Sequence, residues 1–213
     1  MIVIIAGDSW GEGRYQLDPK SGLKWPGFHH YWIQENHPAI NISRGGYRNH
    51  QSLSALEMYL SKTGTQKRRV ILWLTCILRD YPPEHTIDNI EHWVTRHYEN
   101  IFDRVITLAH FYNCDIELLG GLGDIPRSFP EKLSSRVKIK LHSTAKFVNS
   151  DYSYEMPYGH ITEVDRIPDL EQRYKLLEYI KPKVNYMKSR RDIYPDAAHF
   201  GQDQYQQLYQ LLK

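Results

Sequence analysis

Met1-Ile2-Val3-Ile4-Ile5-Ala6, followed directly by Gly7-Asp8-Ser9-Trp10-Gly11, is the stretch that decides how the chain is read. A short β-branched apolar run without polar alternation is the pattern of a strand buried on both faces, as in parallel sheets covered by helices. Ending that run in Gly-Asp-Ser places a hydroxyl at the carboxyl edge of the strand, where open α/β sheets have their ligand crevices. Ser9 is therefore the candidate nucleophile. A serine hydroxyl attacks poorly unless a base within hydrogen-bond reach takes its proton, so an imidazole has to come from elsewhere in the chain.

Asp196-Ala197-Ala198-His199 supplies one. His199 is the candidate base, and Asp196, three residues earlier, reaches its other ring nitrogen if the segment turns like the start of a helix. An amphipathic segment follows, with Tyr205, Leu208, Tyr209, Leu211 and Leu212 at helical spacing. Either motif alone is more often a turn or a helix cap. Their order and placement together are similar to those of the SGNH, or GDSL-type, hydrolases: Gly7-Asp8-Ser9 matches the first block of that family and Asp196 with His199 the last. A literal Gly-x-Ser-x-Gly also suggests the nucleophile elbow of the α/β hydrolases. In those enzymes, however, the serine lies well inside the chain, and acid and base come from separated strand ends. The resemblance implies a three-layer α/β/α sandwich with a flavodoxin-like parallel sheet, and ester hydrolysis through an acyl-enzyme on Ser9. The opening motif also resembles small phage-encoded members of the family.

The second block of the family is a glycine turn after the second strand, matched by Asn41-Ile42-Ser43-Arg44-Gly45-Gly46. The resemblance implies that the backbone amides of Gly46 and Ser9 bind the oxyanion; an ordinary left-handed turn uses the same glycines. The third block, normally Gly-x-Asn-Asp, is where the chain departs from the pattern, reading Thr75-Cys76-Ile77-Leu78-Arg79-Asp80 with no asparagine. Thr75 through its hydroxyl and Asn49 through its amide are the candidate replacements. Losing one such donor costs about 3 kcal/mol of transition-state stabilisation, a slowing of about 10² to 10³. Asp8 is read as a brace for its turn, directed away from Ser9. Trp10 and Tyr47 are expected as walls for an acyl or sugar group, or as packing. Arg79 and Asp80 are expected to pair with each other, with Arg79 also a candidate contact for a substrate anion.

Composition narrows the functional classes. At 213 residues the chain holds one sizeable core and is read as a single domain over 1–213. The 27 basic and 25 acidic residues are intermixed, giving a formal charge of +2, so no nucleic-acid footprint is expected. Lys67-Arg68-Arg69 and Lys188-Ser189-Arg190-Arg191 read as solvated helix ends or phosphate contacts. Two cysteines, Cys76 and Cys114, form neither a disulfide framework nor a Cys-x-x-Cys pair. Cys76, near the expected sheet edge, has no histidine beside it in a cysteine-hydrolase pattern. His29-His30, His92 with His97, and His142 with His160 lack metal-ligand spacing and companions. No metal, cofactor or membrane partner is expected. The first apolar run is one strand long, without basic residues before it or a cleavage signature after it. It therefore reads as neither signal peptide nor membrane span, and a cytoplasmic or virion-associated protein is expected.

Along the chain, expected strands at Ile2 to Ala6, Ala39 to Ile42, Val70 to Leu74 and Ile116 to Leu119 alternate with helical patterns, with a further strand near Phe147 and Val148. Helices are expected over Phe28 to Glu35, Gln51 to Leu60, Thr86 to Tyr112 after Pro82-Pro83, and Leu170 to Ile180, the last stopped by Pro182. Gly120 to Glu163 reads as loop-rich, the usual composition of site walls. The sixteen tyrosines and five tryptophans suit sugar stacking as well as cores. The expected substrate is a small acyl ester, with O-acetyl carbohydrate the first choice and longer acyl chains a second. A degenerate glycan-binding or virion-associated module is the alternative from outside catalysis.

Overall fold

The structure is a computed structural model that describes residues 1–13, 26–64, 66–81, 90–121, 123–152, 164, 167, 169–195 and 199–213. Five strands, β1 Ile2–Ala6, β2 Ala39–Asn41, β3 Arg68–Leu74, β4 Cys114–Gly120 and β5 Val137–Leu141, form one parallel sheet in the order β2-β1-β3-β4-β5. This is the flavodoxin-like order, whose topological switch point lies between β1 and β3. Ile4 stands opposite Ile40 on one side and Val70 on the other, so β1 is central and its run of apolar side chains is buried on both faces.

Helices α1 Ser9–Glu12, α2 His30–Gln34, α3 Asn49–Lys62, α4 Ile90–Phe111, α5 Thr144–Val148, α6 Leu170–Ser189 and α7 Gln202–Leu212 complete the described elements, with a 3-10 turn at Ile77–Asp80. Helices α3 and α4 lie side by side, on one face as the right-handed crossovers usual between parallel strands place them. The other face carries α2 and α7, joined by Trp32 against Tyr209 at 4.8 Å and by Phe28 against Tyr205 at 5.4 Å between ring centroids. Trp73 of β3 points into this second layer, touching Phe28 and Tyr205. The architecture is thus the expected α/β sandwich.

Three local expectations are corrected. Phe147 and Val148 lie in α5, capped by the Ser143 hydroxyl accepting from the Lys146 amide, and the fifth strand is Val137–Leu141 instead. That strand is the sheet edge, and its alternation of Val137, Ile139 and Leu141 with Lys138 and Lys140 is how an edge is blunted against further pairing. Pro182 does not stop α6, which runs on to Ser189. Proline removes one intrahelical bond, but the buried stripe Leu176, Ile180, Lys183 and Met187 continues across it and keeps the helix on the core. Within Lys67-Arg68-Arg69, Arg68 is buried and closes the end of α3, donating to the carbonyls of Leu60 at 3.1 Å, Gln66 at 2.9 Å and Gly64. Arg69 pairs with Glu117 at 2.7 Å. The helix start at Thr86 lies outside the described residues.

Gly7 carries the chain from β1 into α1 at φ +138°, with Trp73 so close that a Cβ there would lie 2.7 Å from the Trp73 Cβ and carbonyl oxygen. Both strain and clash follow from any side chain. Gly7→Ala is expected to destabilise the protein by more than about 2 kcal/mol, read as a lowered urea midpoint; an unchanged midpoint would show that the turn relaxes freely.

Candidate functional site

Ser9 opens α1 at the carboxyl end of β1, on the switch point of the sheet. Asp8 is the N-cap, its Oδ1 accepting from the Trp10 amide at 3.0 Å. The helix can begin so abruptly because Gly11 lets it lie against its neighbours: a Cβ at Gly11 would come within 2.6 Å of Ser43 Oγ and 2.9 Å of the Trp73 ring. Asn41 fastens the other end, donating to the Gly11 carbonyl at 3.0 Å and the Glu12 carbonyl at 3.3 Å.

His199 arrives from the far end of the chain, and its Nε2 lies 2.9 Å from Ser9 Oγ. What carries it there is the residue after it. Phe200 is buried against Trp10 at 4.5 Å and Tyr194 at 5.4 Å between centroids, and the Gly201 amide donates to the Ile193 carbonyl at 3.0 Å. Three residues into α7, the Tyr205 hydroxyl donates to the Trp10 carbonyl at 2.9 Å. Helices α1 and α7 are thus bonded directly on either side of the Ser9 and His199 pair. Asp196 lies outside the described residues.

The turn after β2 stands beside this pair. The Arg44 amide donates to the Gly7 carbonyl at 3.2 Å, joining the two turns, and Tyr47 closes the second by donating to the Arg44 carbonyl at 3.1 Å. Gly46, at φ +80°, is exposed at its tip. Glu12, a residue not singled out by its sequence, holds the turn by accepting from the Gly45 amide at 2.8 Å. Tyr47 is half-buried with the Arg44 guanidinium over its ring.

The remaining expected site residues are tied into the scaffold. Trp10 is 1 % exposed, packed against Trp73 and Phe200, and so faces the core rather than a substrate. Asn49 is buried, its carbonyl oxygen accepting from the Thr75 amide at 2.8 Å and its amide donating to the Thr75 carbonyl at 3.4 Å, which fixes α3 to the end of β3. The Thr75 hydroxyl donates its one proton to Asp8 Oδ2 at 2.5 Å and accepts from Arg79 at 2.8 Å. Arg79 pairs with Asp8 at 3.1 Å, and it also reaches the Tyr47 carbonyl at 3.4 Å.

The expected pairing of Arg79 with Asp80 is therefore replaced by two separate ones. In a 3-10 turn adjacent side chains diverge, and Asp80 points to α3 and α4, accepting from His50 Nδ1 at 2.7 Å and from His97 Nε2 at 3.2 Å. His97 is in turn stacked on Trp93. Sequence reasoning missed this cluster because its histidines come from two helices that meet only through the fold. Cys76, beneath the same edge, is fully buried.

No protein-family model matches the chain, and no curated protein matches it. Among solved structures it is similar to a psychrotrophic esterase, EstA from Pseudoalteromonas sp., solved with monoethylphosphonate as inhibitor, at 14 % identity and a TM-score of 0.46 over 99 % of this chain and 96 % of that one. It is also similar to the lipase/acylhydrolase from Enterococcus faecalis, at 16 % identity and a TM-score of 0.42 over 99 % and 92 % of the two chains. A third, TesA, is 16 % identical with a TM-score of 0.43 over 85 % of this chain and 97 % of that one.

Burial works to raise the Asp80 carboxyl, but the hydrogen bonds from His97 and His50 outweigh it and hold the group below the ordinary carboxylate range. A carboxyl depressed by folding contributes stability that is present above its unfolded pKa of about 3.9 and is lost as pH falls through the folded value. Asp80→Asn is accordingly expected to lower the thermal midpoint at pH 6, with the gap from wild type closing below pH 4. A gap that widened in acid would contradict this sign.

Proposed function

We propose that the chain is a serine esterase acting on small acyl esters. The observation that carries this reading is the 2.9 Å contact between Ser9 Oγ and His199 Nε2 at the switch point of the sheet. At that distance the imidazole takes the hydroxyl proton as Ser9 Oγ bonds to the acyl carbon. The tetrahedral intermediate collapses by breaking the bond to the alcohol oxygen, which receives the proton from His199. Water then attacks the acyl-Ser9 ester with His199 again as base, releasing the acid and restoring the hydroxyl. Asp196 is assigned the role of accepting a hydrogen bond from His199 Nδ1–H, on its spacing in the sequence.

The oxyanion is assigned to the backbone amides of Ser9, at the start of α1, and Gly46, in the turn bonded to Gly7. The Asn49 and Thr75 side chains are engaged with the scaffold, so neither is assigned as a donor. Arg79, anchored on Asp8 and still 15 % exposed at its side chain, is assigned to an anionic or polar group of the substrate, with Tyr47 beside it. The natural ester in this reading is an O-acetyl group on a carbohydrate. Engagement of Asn49 and Thr75 also favours a second reading, a glycan-binding module with slow residual hydrolysis, since each missing donor slows turnover about 10² to 10³.

Hydrolysis of para-nitrophenyl acetate tests the first reading. Wild type is expected to turn over, with Ser9→Ala and His199→Ala each slower by at least about 10³, and a fluorophosphonate is expected to label Ser9 alone. Equal rates for wild type and Ser9→Ala, or label on another residue, would remove the assignment.

A further inference from the structure

Beyond the Ser9 crevice, the loop that leaves β4 and the end of β5 enclose a cleft of about 680 Å³ between Asp124–Phe129 on one side and Lys140–Phe147 on the other. Its walls combine aromatic rings with cationic side chains. Phe129 and Phe147 present rings to it, and Phe129 is fixed from behind by Phe102 at 4.9 Å and Tyr98 at 5.9 Å. Around the rings stand Arg127, Lys140, Lys146 and His142. Lys140 forms no ion pair among the described residues. The His142 ring is oriented, with Nδ1 facing the Ile125 carbonyl at 3.1 Å. Since a carbonyl only accepts, Nδ1 carries the proton and Nε2 is the nitrogen left for other contacts.

Two carboxylates also line the cleft, Glu131 and Asp124. Asp124 is buried, and its charge favours the ammonium of the buried Lys183 against the desolvation that pushes it down. The charge facing outward is therefore predominantly positive. A fixed aromatic platform ringed by cations suits a flat-faced ligand that carries negative charge, and a sugar bearing a carboxylate meets both requirements.

The position relates the cleft to Ser9. Both lie at the carboxyl edge of the sheet, and β1 and β5 are three strand spacings apart, about 14 Å. Helix α5, which contributes Lys146 and Phe147, also touches α7, the helix that follows His199. A short oligosaccharide covers that span where a single acyl group does not. We infer that this cleft is a subsite for an acidic oligosaccharide, holding a carboxylate-bearing sugar on Phe129, Phe147 and Lys140 while an ester a few units away lies at Ser9. The inference rests on the esterase reading for the second half of that statement and on the cleft alone for the first.

Calorimetric titration of the Ser9→Ala protein with oligogalacturonate, and with a neutral malto-oligosaccharide of equal length, separates the two. The acidic ligand is expected to bind and the neutral one not. Lys140→Glu and, independently, Lys146→Glu are expected to weaken binding on the order of tenfold, and added salt to weaken it further. Both positions are on the surface of the cleft, and circular dichroism checks that each variant is folded. Absent binding of the acidic ligand, equal binding of both ligands, or affinity indifferent to both substitutions would overturn the subsite. If wild type hydrolyses para-nitrophenyl acetate while the Ser9→Ala protein ignores oligogalacturonate, the subsite alone fails. Oligogalacturonate binding by a protein without esterase activity would sink only the catalytic reading.

Discussion

The packing of Phe200 and Tyr205 on Trp10 is the constraint on which the rest of the site depends. Ser9 and His199 are 190 residues apart in the chain, and neither has a local reason to meet the other. An aromatic contact and one hydroxyl-to-carbonyl bond bring α1 and α7 together, and the imidazole between them inherits its position. The energy available is considerable, since burying a ring of this kind contributes about 1.5–3 kcal/mol and a geometrically sound hydrogen bond about 1 kcal/mol. Trp10 therefore serves Ser9 as its foundation, which explains why it is enclosed.

Asp8 plays the matching part on the sheet side. Its two oxygens cap α1, bind Thr75 and pair with Arg79, so the turn after β1, the end of β3 and the 3-10 turn beyond it share one buried carboxylate. Removing one partner of such a cluster is costly because the charge left behind stays out of water. The same carboxylate thus sets the start of α1 and the placement of Arg79, coupling Ser9 to the wall of the crevice.

Much of this was legible in the sequence, for identifiable reasons. β1, β3 and β4 are apolar runs because both faces of a parallel sheet are buried, and the turns after β1 and β2 advertised themselves through Gly7, Gly11 and Gly46. β5 carries only the period-two alternation of Val137, Ile139 and Leu141, a weaker signal because two lysines interrupt the apolar run that the inner strands show. Pro182 was read by its local rule and overridden by a stripe of tertiary contacts on either side of it. The roles of Trp10, Thr75, Asn49 and Asp80 were not readable locally, because each is decided by a partner from a distant element. Short-range signals fix elements well and side-chain duties poorly.

The bond from Tyr205 to Trp10 has a bearing on how the protein is made. Synthesis delivers Ser9 before strands β2 to β5 and His199 after them, so the hydroxyl waits without its imidazole until α7 has emerged and docked. Closing so long a loop is slow compared with local folding. Ser9 therefore stays without its imidazole neighbour until the five strands have been made and α7 has docked on α1.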